Sequence, residues 1–98
     1  MPPNDDIADL RARAWVGDAV LALYAREWIL AREDIKPADR SEEFIRMTAN
    51  DFLGCVGEPT KVEAGIGDIY RNEGLQAAFA YIEQTLLPLY LKQRNNRR

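Results

Sequence analysis

Apolar residues recur at helical spacing through the first third of the chain. Between Asp6 and Ala31, the positions Ile7, Leu10, Ala14, Leu21, Tyr24 and Trp28 follow one helical stripe, and Val16, Val20, Leu23 and Leu30 widen it. A stripe this broad predicts a helix buried on most sides. Gly17 lies inside it, where glycine costs about 1 kcal/mol relative to alanine, which points to close packing or to function at that position.

The polar stretch from Glu33 to Ser41, with Pro37 within it, predicts a connection. Asp39 or Ser41 can cap a second helix, with Glu42 and Glu43 in its first turn, where carboxylates suit the positive end of the helix dipole. That helix is expected to run through Phe44, Ile45, Met47, Ala49, Phe52 and Leu53 and to stop at Gly54. After the turn Gly57-Glu58-Pro59, a third helix is expected from about Thr60 to Asn72, with Gly74 separating it from a last one, Leu75 to about Gln93. Phe79, Ile82, Leu86, Leu89 and Tyr90 give this last helix its apolar face, and Pro88, which has no backbone donor, should kink or divide it. No segment alternates as a strand would. The expected fold class is therefore all-α, a single domain over residues 1–98 with four to six helices, a short acidic N-terminal arm and a basic C-terminal tail.

Composition narrows the function classes. With 47% hydrophobic and 30% charged residues the chain reads as an ordinary globular domain, and its longest apolar runs fall far short of the roughly 20 residues a membrane helix needs. Met1-Pro2-Pro3-Asn4-Asp5-Asp6 has no apolar stretch behind a basic start, so no secretory or transit signal is read and the expected location is the cytoplasm. Cys55 is the only cysteine, which excludes an intramolecular disulfide, and the absence of histidine excludes histidine-based catalysis and the usual zinc sites. A net charge of −3 argues against holding nucleic acid by bulk charge. The local exceptions are Arg11 with Arg13, and the tail Lys92-Gln93-Arg94-Asn95-Asn96-Arg97-Arg98, whose plain reading is a solvated terminus.

Two carboxylates stand out. Asp18 follows Gly17 in the most apolar helix, among Trp15, Val16, Ala19 and Val20, where a carboxylate needs a partner, a hydrogen-bond shell or a metal ion. An arginine met at the helix edge would also satisfy it. Glu63 completes the pattern Thr60-Lys61-Val62-Glu63, which fits a capping box in which Thr60 and Glu63 bond to each other's amides. The following Ala64-Gly65-Ile66-Gly67 carries two glycines in a helical pattern, which permits a close backbone approach that could bring Glu63 towards Asp18. Two such groups suit metal-assisted phosphodiester hydrolysis, because hard oxygen ligands fit magnesium and no histidine is required.

Three segments, in order, resemble the ribonuclease III family, and most of all its short Mini-III branch. Gly17-Asp18-Ala19-Val20-Leu21 matches the family's Gly-Asp-Ala-Val core, and Tyr24-Ala25-Arg26-Glu27-Trp28-Ile29-Leu30 looks like its continuation in the short branch. Arg46 to Leu53 is similar to the family's asparagine-containing helix, and Val62 to Tyr70 resembles its Phe-Glu-Ala-Leu-Ile-Gly-x-Ile-Tyr motif. The resemblance implies an all-helical homodimer that cleaves double-stranded or structured RNA with magnesium, or manganese in its place. It places Asp18 and Glu63 on two of the family's catalytic, metal-binding carboxylates, with Asn50 and Thr60 as candidates for the shell around them. The chain departs from the longer members in carrying Ala14 and Thr60 where they carry acids. It has only twelve residues between Asn50 and Glu63, and no appended double-stranded-RNA-binding domain is expected from these 98 residues. These departures also fit a catalytically inactive dimer that keeps the fold as an interaction or RNA-assembly module.

Overall fold

The computed structural model describes residues 3–97 and is all-helical, with no strand among the described residues. Met1 and Pro2 of the acidic arm and Arg98 of the tail lie outside them. Among the described residues six α-helices follow one another: α1 Pro3–Ala31, α2 Arg40–Thr48, α3 Asn50–Leu53, α4 Pro59–Glu73, α5 Leu75–Thr85 and α6 Leu87–Asn96. A 3₁₀ turn, Pro37–Asp39, leads into α2. No helix among the described residues is long and apolar enough to cross a membrane.

α1 is the axle. Its 29 residues span about 43 Å at 1.5 Å per residue, nearly the whole 49 Å length of the molecule. Its most extensive partner is α4. The two can approach so closely because glycines stand where they cross. A Cβ at Gly17 would lie 1.6 Å from the Glu63 carbonyl oxygen, and one at Gly67 would lie 2.4 Å from the Arg13 carbonyl oxygen. Gly65 has no part in the crossing, since a Cβ there would meet nothing within 4 Å. Around this contact Leu21, Leu53, Ile66, Ile82 and Leu86 are fully buried. Edge-on ring pairs Tyr24 with Phe79, Trp28 with Tyr90 and Phe52 with Tyr90 close the core at the other end.

Four expectations change. α1 is buried on one side only: Val20 joins the core, but Trp15 is 80% exposed, and Leu23 and Leu30 also face outward. The second helix is broken at Ala49, whose extended backbone (ψ 144°) separates α2 from the single turn α3. The Thr48 hydroxyl donates to the Phe44 carbonyl at this end, a local alternative to the helical ladder, and the bend lets Met47, Phe52 and Leu53 all reach the core. Of the two candidate caps of α2, Asp39 takes the N-cap position but makes no side-chain cap bond, and Ser41 lies inside the helix. Finally, the tail is not a free basic terminus. Arg94 is buried in α6 and pairs with Asp34 at 3.1 Å and Glu43 at 3.5 Å, while Glu43 also accepts from the Tyr90 hydroxyl and pairs with Arg97. Pro88 divides the last helix as expected, within the first turn of α6, and Gly74 takes the positive φ of 95° that separates α4 from α5.

The crossing can be tested with a matched pair of variants. Gly17→Ala places a methyl group inside a backbone carbonyl and should destabilise the fold by about 3 kcal/mol or more. Gly65→Ala, in open space on the same helix pair, should stabilise it by roughly 0.5–1 kcal/mol through helix propensity. Urea unfolding midpoints at unchanged m-value give both signs, and equal effects of the two substitutions would refute the asymmetry.

Candidate active site

The helix crossing sets the site. Asp18 follows the glycine of α1, and Glu63 belongs to the turn of α4 whose carbonyl lies against that glycine, so the two carboxyl groups are drawn together and hydrogen-bond. Glu63 is half-buried, and Asp18 stands at the open side. Desolvation, then the hydrogen bond and charge of Asp18, and then the charge of Glu58 push the Glu63 carboxyl up from its ordinary 4.5 to about 7. Two carboxylates this close cannot both ionise freely. They share a proton or take a cation in its place.

The capping box is replaced by a different arrangement, and this frees Glu63 for the pair. Glu58 caps α4, accepting from the amides of Thr60 at 3.1 Å and Lys61 at 2.9 Å, with Pro59 in the first turn. Those amides hold the Glu58 carboxyl below its usual range. Thr60 is thereby one residue inside the helix, with its side chain in the same groove as Glu63.

The groove has a volume of about 690 Å³ and is open to solvent; its polar and aromatic lining is Arg11, Trp15, Asp18, Thr60 and Glu63, with alanines of α1 between them. Among the described residues no arginine forms an ion pair with Asp18. Arg13 is engaged elsewhere, pairing with Asp9 at 3.3 Å and with Asp68 of α4 at 3.4 Å. Of the residues singled out in the sequence, Asp18, Glu63 and Thr60 are brought together. Asn50 opens α3, is exposed, and does not line the groove. Two contributors were not singled out for the site, Arg11 and Trp15. Their signal was available, because positions 11, 15 and 18 follow the i, i+4, i+7 rule for one helix face.

Chemically, the groove offers two hard oxygen donors, a hydroxyl, one guanidinium and an exposed indole. Among the described residues no group of three or more aspartate, glutamate, cysteine or histidine side chains is placed to hold a metal ion. Asp18 and Glu63 stand there as two carboxyl groups beside the Thr60 hydroxyl.

The shared proton has a measurable consequence. In the fold Glu63 keeps its proton up to about pH 7, whereas in the unfolded chain it releases it near 4.5. The stability this contributes is full below about pH 4.5 and lost as pH rises through about 7. With a chelator present, the Tm of the protein should fall over that window. Glu63→Gln, which can donate to Asp18 at every pH, should flatten the fall; an unchanged slope would mean that the pair does not share a proton.

In comparisons with known proteins, no family model, no curated protein and no solved structure matches this chain, and the functional reading rests on these residues.

Proposed function

We propose that this chain is a magnesium-dependent endoribonuclease of the ribonuclease III type, similar to the Mini-III branch, acting on double-stranded or structured RNA in the cytoplasm. The observation that carries this reading is the hydrogen-bonded Asp18 and Glu63 pair at the mouth of an open groove. The donor set fits a divalent ion: both ligands are hard oxygens, and the pair's affinity for a proton measures its need for positive charge. When bound there, magnesium or manganese supplies Lewis-acid polarisation of the phosphate and a nucleophilic water. Asp18 and Glu63 would hold the ion, and Glu63 must lose its proton to do so. Arg11, which lines the same groove, would hold a phosphate by charge-assisted hydrogen bonds, and the Thr60 hydroxyl adds a donor and acceptor in the groove.

A homodimer is part of the proposal. Trp15, Leu23 and Tyr70 are exposed apolar residues around one cavity of about 550 Å³ that Val16, Ala19 and Leu75 also line. An apolar surface of this kind marks an interface. Trp15 lines this cavity and the carboxylate groove alike, so a second copy seated here would adjoin the site. An A-form duplex could then be read by shape and by its phosphates and 2′-hydroxyls across paired sites.

A second reading, a non-catalytic dimer serving as an interaction or RNA-assembly module, is favoured by one observation, the two-carboxylate set itself. Cutting and magnesium binding separate them, and sedimentation tests the dimer common to both. The protein should cut end-labelled duplex RNA only with magnesium or manganese, and Asp18→Asn, at an exposed position, should reduce cutting by roughly a hundredfold or more while leaving the circular dichroism spectrum unchanged. Calorimetric titration should show magnesium binding that strengthens as pH rises through about 7 and is lost in Asp18→Asn. No heat and no cutting would overturn the nuclease reading and favour the inert module. Leu23→Glu should turn a dimer into a monomer in sedimentation velocity, and a wild-type monomer would remove the paired-site geometry.

A further inference from the structure

The far end of α1 carries a second groove, unrelated to the carboxylates. It has a volume of about 440 Å³ and lies between α1 and α2, walled by Ile29, Leu30, Phe44 and Ile45 with Arg26 and Arg40 among them. Leu30 is 58% and Ile45 63% exposed, although both are large aliphatic side chains. The Arg26 guanidinium sits 4.2 Å from the centre of the Phe44 ring. In that position it is attracted to the ring face and keeps its in-plane N–H donors for another group. The Arg40 Nε is buried without a hydrogen-bond partner. Among the described residues neither arginine has a carboxylate within ion-pair distance, although Arg13, Arg32, Arg46, Arg94 and Arg97 all do.

A buried N–H donor with no acceptor is a standing cost, which the Arg40 Nε carries, and the exposed Arg26 guanidinium beside it also has no carboxylate partner among the described residues. We propose that the groove is a docking site for a segment of another protein that presents a carboxylate beside an apolar side chain. The carboxylate would accept from Arg26 and Arg40, and the apolar side chain would cover Leu30 and Ile45. Charge complementarity selects the acid, and the aliphatic walls select protein over RNA. A phosphodiester strand could satisfy the guanidiniums but would leave Leu30 and Ile45 against its own hydrated backbone. The site requires neither Asp18 nor Glu63, so it stands or falls separately from the nuclease reading.

The probe is an array of twelve-residue synthetic peptides in which acidic and apolar positions are varied independently, bound to the full chain. Retained peptides should carry both an acid and an adjacent apolar residue. Arg26→Gln and Arg40→Gln should each weaken their binding by about tenfold, the loss of one charge-assisted hydrogen bond. Ile45→Glu, at an exposed position that leaves the fold intact, should abolish it by opposing the acid. Retention of peptides without acids, or of none, would overturn the proposal. It would equally be overturned if the arginine variants lost affinity for a labelled RNA duplex and not for the peptides, or if Ile45→Glu changed the oligomeric state, which would make the groove an interface between copies.

Discussion

A hydrogen atom in place of a methyl group at position 17 lets the α1 and α4 backbones come into contact, and much of the structure follows from that approach. Helices whose facing positions carry ordinary side chains pack with axes 8–10 Å apart; glycines at the crossing let the backbones themselves touch. Gly17 makes room for the Glu63 carbonyl, and Gly67 makes room for the Arg13 carbonyl, so the fit is reciprocal. Ile66, between Glu63 and Gly67 in sequence, is driven fully into the core by the same geometry. Asp18 and Glu63 are brought to hydrogen-bonding distance by the backbones they stand on, which is a firmer support than a flexible loop would give.

The acidic balance of the chain is spent unevenly. On the side away from the candidate site, carboxylates are used as structure: Asp34 and Glu43 hold the buried Arg94, and Glu43 also takes the Tyr90 hydroxyl, which locks α6 onto the connection between α1 and α2. A buried cation of this kind is stable only because acids surround it on more than one side. Near the crossing the logic is reversed. Asp18 and Glu63 face each other with no arginine in an ion pair with Asp18, and the result is a raised Glu63 pKa in place of a neutralised pair. A carboxyl shifted first by burial and then by a neighbouring carboxyl, in an open groove, is a candidate for a functional site.

Much of this was legible in the sequence, and the reasons for success and failure are physical. The division at Pro88 and the separation at Gly74 rest on local backbone chemistry that acts whatever packs around them. Gly17 announced close packing because nothing else justifies glycine there. Thr60 misled, since the pattern Thr-x-x-Glu is satisfied equally by a capping box and by a helix begun two residues earlier from Glu58. The break at Ala49 carries no proline or glycine, so no local signal marked it. Arg94 lay in a run of basic residues at the end of the chain, and composition gives no sign that one of them reaches Glu43, 51 positions earlier.

The misreading of α1 is the most informative, because it bears on what the protein does. Its apolar residues surround most of the helix, and the natural inference is a helix buried on most sides within its own fold. The structure divides them. Leu21, Tyr24, Ala25 and Ile29 enter the core, while Trp15, Leu23 and Leu30 form a separate line facing outward, with Asp18 at the edge between the two. Hydrophobic periodicity records which positions avoid water and is silent on what covers them; a helix half-covered by its own chain and half by a partner has the same pattern as one covered by its own chain alone. Trp15 and Leu23 on that outward line are the residues the proposed homodimer would cover. A surface that is apolar in sequence, exposed in the isolated fold and contiguous with the candidate site at Trp15 is the physical reason to treat association and chemistry as one problem here.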